Sequence, residues 1–312
     1  MTEASFERAA IIGIGLIGSS IARAIEKTAA AGVVSLFDID AAVREDARTL
    51  ALGEVADDIA AAVDDADLVI LCTPVGRLGA VCAAMADHLK AGAIVTDVGS
   101  VKAKALTEMR DACPDHIHLI PGHPIAGTEK SGPAAGFGSL FQDAWHILTP
   151  LSDQNAAYDK AVDALAVFWR TLGARVEVMD AERHDRVLAI TSHLPHLIAY
   201  NIVSTAYDME TVEEGEVVKF SAGGFRDFTR IAASDPTMWR DVFLANKDAV
   251  LECLGRFSED LAALQRAIRW GDGDALFREF ERARGIRRAI LDAGQDVDEP
   301  NFGRNKPPSN TG

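Results

Sequence analysis

The chain is short of the features that mark secreted, membrane-borne or nucleic-acid-binding proteins. Only four cysteines occur in 312 residues, Cys72, Cys82, Cys113 and Cys253, and no two form a Cys-x-x-Cys pair. They read as reduced cytoplasmic thiols rather than a disulfide framework. Basic residues are scarce: 31 Lys and Arg stand against 47 Asp and Glu, a formal net charge of −16. Phosphate backbones and anionic membranes need basic surface, so no nucleic-acid or membrane partner is expected. The same deficit repels an anionic small molecule at long range, so such a substrate must be caught by individually placed arginines. The uncharged stretch from Ala9 to Ala22 is too short to span a bilayer and is broken by three glycines. Met1 to Arg8 has two acids and one base where a secretory leader would be basic. A soluble, cytoplasmic protein is expected. No internal repeat is visible.

What is present is an ordinary globular balance, 48% hydrophobic and 25% charged, in a chain long enough for two domains. Ala9–Ile14, Val33–Phe37, Leu68–Cys72 and Ile94–Asp97 are apolar runs of strand length, separated by segments of helical spacing at 40–52 and 78–90. The alternation predicts an α/β fold, a Rossmann-type doubly wound, mostly parallel sheet with helices on both faces. It continues through Leu119–Ile120 and Trp145–Leu148, and a helix over 155–172 with a strand over Arg175–Val178 completes the domain. From Ala181 strand signals vanish. Apolar faces such as Leu188, Leu194, Leu197 and Ile198, and later Val250, Leu254, Phe257 and Leu261, predict an all-helical region. Helices this apolar are expected to pack against a second copy, as a homodimer. The expected division is 1–180 for the sheet domain, 181–294 for a helical substrate and dimerisation domain, and 295–312 for a disordered tail rich in Pro, Asn, Gly and Asp.

Gly13-Ile14-Gly15-Leu16-Ile17-Gly18 follows the first strand and opens a helix. Gly13 permits the tight turn, Gly15 lets backbone approach a pyrophosphate, and Gly18 allows close helix–strand packing. The helix N-terminus offers N–H groups and a positive dipole end to phosphate. Asp38 lies 20 residues beyond Gly18 at the end of the second strand. A carboxylate there binds both ribose hydroxyls and repels a 2′-phosphate, which favours NAD over NADP. The competing reading makes Asp38 a helix cap, a role for which Asp40 is also placed. Thr73-Pro74-Val75 and the run Asp97, Val98, Gly99, Ser100, Val101, Lys102 follow later strands at the carboxyl edge of the sheet, where they are expected to line the nicotinamide half. Ser100 could equally cap the helix that follows. The 1–180 region is therefore expected to be the NAD-binding domain.

Pro121-Gly-His-Pro-Ile-Ala-Gly-Thr-Glu129 puts His123 in a loop restricted by Gly122, Pro124 and Gly127. An imidazole titrates near neutrality, so it can take the proton of an alcohol as hydride leaves the same carbon. A structural histidine is the plainer alternative. His184, His193 and His196 cluster, and His116 and His118 lie close, yet Pro195 separates positions 193 and 196 and no cysteine or carboxylate pair completes a zinc set. No metal is expected.

Five segments together resemble the prephenate and arogenate (cyclohexadienyl) dehydrogenases of tyrosine biosynthesis: Gly13–Gly18, Asp97–Lys102, Gly122–Gly132, His184–Tyr200 around Ser192-His193-Leu194-Pro195-His196, and Gly223–Trp239. The resemblance covers about residues 9–290. It implies oxidative decarboxylation of a cyclohexadienyl ring with NAD. In that chemistry His123 polarises or deprotonates the ring hydroxyl and Ser100 hydrogen-bonds near it. It further implies that Arg230 grips the side-chain carboxylate with a two-pronged contact. Ser192 and His196 would be pocket residues, Glu129 and Asp227 supporting or gating groups, and Trp239 a neighbour of the pocket. Without the resemblance Arg230 reads as a surface arginine paired with Asp227. Trp239 then reads as a core anchor behind the helix start Ser234-Asp235-Pro236. Arg226 stands where the family carries lysine, which keeps charge and changes geometry. A fused chorismate mutase or a regulatory domain is not expected, so feedback by tyrosine would act near the active site. The other readings are a β-hydroxyacid-type dehydrogenase, which would place a catalytic lysine in the helical part, and a non-catalytic NAD-binding sensor. Prephenate differs from arogenate by a keto in place of an amino group. A carboxylate facing that nitrogen, Glu129 or Asp227, would discriminate them.

Overall fold

A computed structural model describes residues 5–128, 130–152, 154–210 and 223–292. Six strands, β1 (Phe6–Ile12), β2 (Ala31–Phe37), β3 (Glu54–Val55), β4 (Leu68–Leu71), β5 (Ile94–Asp97) and β6 (His118–Leu119), form one sheet in the order β3-β2-β1-β4-β5-β6. Every pair in it is parallel. This is the doubly wound dinucleotide-binding order, in which the direction of winding reverses between β1 and β4. The strands are short and apolar on both sides; Leu68–Leu71 is buried at all four positions, as a sheet covered on both faces requires.

Alternation along the strands divides the core in two. Ala9, Ile11, Leu68, Ile70 and Ile94 face Ile21 and Ile25 of α1 (Leu16–Thr28) and Phe168 and Trp169 of the helix Ala156–Thr171. Ala10, Ile12, Val69, Leu71 and Val95 face Leu78 and Met85 of the helix Leu78–Met85, and Ala105 and Met109 of the helix Ala103–Ala112. Helices therefore cover both faces, as expected.

The strand pattern that was expected to continue through Trp145–Leu148 does so outside this sheet. Gly122–Pro124 (β7), Trp145–Leu148 (β8) and Arg175–Val178 (β9) make a separate three-stranded sheet. β7 and β8 are antiparallel, β8 and β9 parallel. Only two residues, His118–Leu119, pair with β5. Pro121 then cannot donate to a ladder, and the chain leaves the sheet there. His123 thus sits on a strand of the small sheet, opposite Ile147, rather than in an irregular loop.

After β9 the described residues form helices: Ala181–Leu188, a π-helical turn Ala189–His193, Leu194–Glu210, Gly223–Thr229, a 3₁₀ turn Arg230–Ala233, Pro236–Ala245, Lys247–Trp270 and Gly273–Asp292. The π turn precedes Pro195, whose ring would clash with the carbonyl four residues earlier in a regular α-helix; the wider turn relieves that clash. The stretch Ala181–Met209 is long and apolar enough in composition to cross a bilayer. It also carries His184, Asp185 and His193 into full or nearly full burial, although only 28% of its most apolar window is buried. By contact density one compact unit runs to Cys253 and a second begins at Leu254. The expected tail at 295–312 lies outside the described residues.

Candidate active site

The glycine turn after β1 has the form its sequence requires. Gly13 adopts φ +99°, and a Cβ there would approach the Cys72 carbonyl oxygen to 2.6 Å. A side chain on Gly18 would collide with the Gly13 carbonyl, whereas nothing lies within 4 Å of the corresponding point on Gly15. Gly15 is the N-cap of α1 and supplies no side-chain cap, so the first N–H groups of the helix remain available to an anion. Gly15, Leu16 and Ile17 are half-buried, open enough to meet one. These residues fit the pyrophosphate of a dinucleotide.

Asp38 closes this end. Its Oδ2 accepts from the Ile14 N–H at 2.8 Å and its Oδ1 from the Asp40 N–H at 3.0 Å. Asp40, not Asp38, caps the following helix, accepting from the Ala42 N–H at 2.8 Å. Beyond β4, Thr73 is half-buried with a hydroxyl that has no partner among the described residues, a group suited to a ligand. Pro74 is exposed. The Val75 side chain points into the core, where it would lie 2.9 Å from a Cβ on Gly99, so only its backbone can reach a ligand. Asp97, Val101 and Lys102 are fully buried. Of the segment after β5, Val98 and Ser100 are half-exposed and Gly99 is buried.

His123 is 8% exposed. Its Nδ1 meets Nε2 of His184 at 2.8 Å, and Nδ1 of His184 meets Oδ1 of Asp185 at 2.8 Å. A carboxylate only accepts, so His184 carries its proton on Nδ1 and accepts on Nε2; His123 must then donate from Nδ1. The relay leaves the lone pair of His123 on Nε2, which has no partner among the described residues. Burial, reinforced by the neighbouring His184 and by Lys102, holds the His123 pKa well below the usual imidazole range. At neutral pH the ring is an uncharged base.

Asp185 has a second function. Its Oδ1 accepts from the Lys102 N–H at 2.8 Å and its Oδ2 from the Ala103 N–H at 2.9 Å. It therefore caps the helix Ala103–Ala112 from a distant segment, the role that Ser100 was a candidate to fill. Ser100 instead turns its backbone carbonyl toward His193. Asn246 ties the cluster together, its Nδ2 donating to the Asp185 carbonyl at 2.8 Å and meeting His193 Nδ1 at 3.1 Å. Burial lowers the His193 pKa to about 4.

The three clustered histidines face three different partners: His184 faces His123, His193 faces Asn246, and His196 stacks on Trp239 at 3.7 Å between centroids. The half-buried Ser192 accepts from His196 Nδ1 through its carbonyl at 2.8 Å, leaving His196 Nε2 to accept. Burial lowers the His196 pKa, and the nearby charge of Arg230 pushes the same way. Arg230 is exposed and lies on the 3₁₀ turn after the helix Gly223–Thr229, which carries Asp227. Trp239 belongs to the core as well as to this stack. Its helix begins as the sequence indicates, with Pro236 at the first turn and Asp235 accepting from the Met238 N–H at 2.8 Å. Glu129 lies outside the described residues.

Sequence reasoning did not single out Asp185 or Asn246, named Lys102 only within the run expected to line the nicotinamide, where it is instead fully buried, and assigned His184 no partner. One signal was available. Ala181, His184, Asp185 and Leu188 are the buried positions of their helix. Two titratable residues on a core-facing i, i+3, i+4, i+7 stripe are expected to be paired.

The comparisons with known proteins agree with this geometry. The family model described as prephenate dehydrogenase, nucleotide-binding domain, matches residues 21–178, and that described as prephenate dehydrogenase, dimerization domain, matches 180–282. The chain belongs to the prephenate dehydrogenase family. It is 46% identical to the cyclohexadienyl dehydrogenase of Zymomonas mobilis, over 91% of this chain and 96% of that one. It is 34% identical to the prephenate dehydrogenase of Bacillus subtilis, over 90% of this chain and 75% of that one. Among solved structures, the prephenate dehydrogenase of Aquifex aeolicus in complex with hydroxyphenyl propionate and NAD+ superposes with a TM-score of 0.84 at 32% identity, covering 91% of this chain and 98% of that one. The chain is accordingly an oxidoreductase with a small anionic substrate, which its own net charge of −16 obliges it to capture by local cations.

Proposed function

We propose that the protein catalyses the NAD-dependent oxidative decarboxylation of prephenate to 4-hydroxyphenylpyruvate, and of arogenate to tyrosine as a second substrate, in tyrosine biosynthesis. The observation that carries this reading is the His123–His184–Asp185 relay, which leaves one neutral imidazole nitrogen without a protein partner. When bound, NAD supplies the hydride acceptor, and the ketone character that then develops in the ring lets the carboxylate leave as carbon dioxide with aromatisation. His123 takes the hydroxyl proton at Nε2. His184 holds that tautomer and shares the positive charge that results, and Asp185 orients His184. Ser100, half-exposed on the turn after β5, donates to the substrate hydroxyl. Arg230 binds the side-chain carboxylate, beside a wall made by Ser192, His196 and Trp239. Glu129 and Asp227 are the carboxylates proposed to meet the arogenate amine. At the other end, Gly13, Gly15, Leu16, Ile17 and Gly18 hold the pyrophosphate and Asp38 the ribose, while Thr73, Pro74, Val75 and Gly99 border the nicotinamide.

A cytoplasmic homodimer goes with this reading, with the cofactor held by residues 1–180 and dimerisation by the helices after them. From Leu254 onward the chain leaves Leu261, Ile268, Trp270, Phe277 and Phe280 more than half exposed, a surface of the kind that oligomers cover. The test is initial rates of reduced-nicotinamide formation with prephenate and with arogenate, each with NAD and NADP. Turnover of either with NAD sustains the proposal, and the ratio of kcat/KM values assigns the preferred substrate. Binding of NAD without turnover of either would discard it in favour of a different hydroxyacid dehydrogenase or a sensor.

A further inference from the structure

Asp97 and Lys102 form an ion pair with both side chains at 0% exposure. Lys102 Nζ donates to Asp97 Oδ2 at 2.5 Å and to the Gly122 carbonyl at 2.6 Å. Asp97 accepts in turn from the Gly99 N–H at 2.8 Å and from the Gly122 N–H at 3.2 Å. The pair therefore holds Gly122 by both its N–H and its carbonyl, and holds Gly99 as well. Gly122 immediately precedes His123, and Gly99 immediately precedes Ser100. Nothing in this frame is slack. A Cβ on Gly122 would come within 2.6 Å of His146 Nε2 and 3.3 Å of the Asp97 carbonyl, and one on Gly99 within 2.8 Å of Asp97 Oδ2. Lys102 also reaches the relay through its backbone, donating its N–H to Asp185 at 2.8 Å.

Burying two charges costs desolvation that their attraction only partly offsets, so an apolar pair of the same size would serve stability as well. A pair that contacts both peptides next to the proposed reacting groups invites a different explanation. We propose that Asp97 and Lys102 are positioning residues of the reaction, setting the separation of Ser100 and His123 and fixing a cation behind the histidine relay. This rests on the roles of His123 and Ser100 proposed above.

Burial pulls the Lys102 pKa down while Asp97 pulls it up, and the ammonium that Asp97 holds has a consequence that a purely steric brace would lack. Four groups face His123: His184 from the helix Ala181–Leu188, Lys102 from the turn after β5, His146 from β8 and His193 from the π turn. All four oppose its protonation, in addition to burial. Losing the Lys102 charge makes protonation of His123 easier, so activity fails at higher pH on the acid side.

The experiment compares the parent enzyme with Lys102→Met, Lys102→Arg and the double variant Asp97→Asn/Lys102→Met. The double variant leaves no unpaired buried charge and keeps the test alive if Lys102→Met does not fold. The double variant is expected to lose tenfold or more in kcat, as sub-ångström misplacement of reacting groups does. Its KM for NAD is expected to rise far less than kcat falls, because the pair meets the cofactor site only through Gly99 at the nicotinamide border and not at the pyrophosphate or ribose. The acid limb of its kcat profile is expected to move to higher pH, by less than in Lys102→Met because the Asp97 carboxylate is lost with the cation. Lys102→Arg keeps the charge in a space with no room for it, so kcat is expected to fall with the acid limb unmoved. Imidazole titration of His123 by 15N NMR in the NAD-bound enzyme reads the same shift without substrate. A parent enzyme inactive on prephenate and arogenate would sink the functional reading while the titration still judges the pair. Parental kcat and parental titration in the double variant would overturn the proposal, as would a loss shared equally by NAD binding.

Discussion

The two ends of the site are built by opposite means. The dinucleotide end is almost all backbone, contributed between Gly13 and Asp38, half-buried, with a helix N-terminus left uncapped. The chemical end is all side chain, gathered from Asp97, Lys102, His123, His184, Asp185, His193 and Asn246, and nearly sealed. The first works by withholding atoms so that a ligand's phosphates can complete the hydrogen bonding. The second works by bonding most of its polar atoms to one another, while Nε2 of His123 and Nε2 of His193 are left without a partner among the described residues. Robustness differs accordingly: a backbone cradle tolerates change in its neighbours, whereas a closed relay transmits each loss to the next member.

The strongest way to break this contrast is His123→Asn. Removing the proton acceptor is expected to lower kcat by about 10²–10⁴-fold while KM values for both substrates stay within a few fold. Near-parental kcat in steady-state assays would take His123 out of the mechanism. Arg230→Gln acts on substrate capture alone and is expected to raise the prephenate KM by about 30-fold or more, with the NAD KM unmoved. A change in kcat without a change in KM would reassign Arg230.

The sealed end also predicts an acid weakness. His123, His146, His184 and His193 all have pKa values lowered by burial. Each folded-state value lies below the unfolded one, so the stability they confer is complete above the ordinary imidazole pKa and is lost as pH falls through the folded-state values. For His193, lowered from 6.5 to about 4, the loss between neutral pH and pH 4 is about 3 kcal/mol. Thermal melts from pH 8 to 4 should show Tm falling below about pH 6.5; a flat profile would mean the four rings are solvated.

Asp185→Asn sharpens the same point. It keeps a cap oxygen but replaces the carboxylate that fixes the His184 tautomer, so kcat should fall by about ten- to a hundredfold and stability by about 1–2 kcal/mol. Chemical denaturation and rates on the same preparation would separate the two. The smallest effect belongs to the open end. Asp38→Ser is expected to cost about 1.5 kcal/mol of NAD binding, roughly tenfold in kcat/KM, and to narrow the preference over NADP. An unchanged cofactor ratio would assign ribose recognition elsewhere.

The cofactor end was legible because its determinants are local. A strand, three glycines at fixed spacing and a carboxylate 20 residues beyond the last of them describe a turn whose sterics are decided within a few bonds. The strands of the main sheet other than the two-residue β3, the helix caps at Asp40 and Asp235, and the apolar periodicity of both core faces were readable for the same reason. The small sheet was not, because strands over Trp145–Leu148 and Arg175–Val178 look the same whichever partner they take. His184 and Asp185 read as part of an ordinary amphipathic helix until the fold brings them to His123.

The sequence by itself determined that this chain makes a dinucleotide turn, that a histidine follows the last strand of the parallel sheet, and that net charge cannot be what attracts an anionic substrate. The tertiary structure decided which nitrogen of that histidine is a base, and what holds it there. Tautomer, burial and charge at His123 depend on groups 21 and 61 residues away in the chain, Lys102 and His184. Hydrogen bonding and desolvation act over ångströms of space, and only folding brings those distances about.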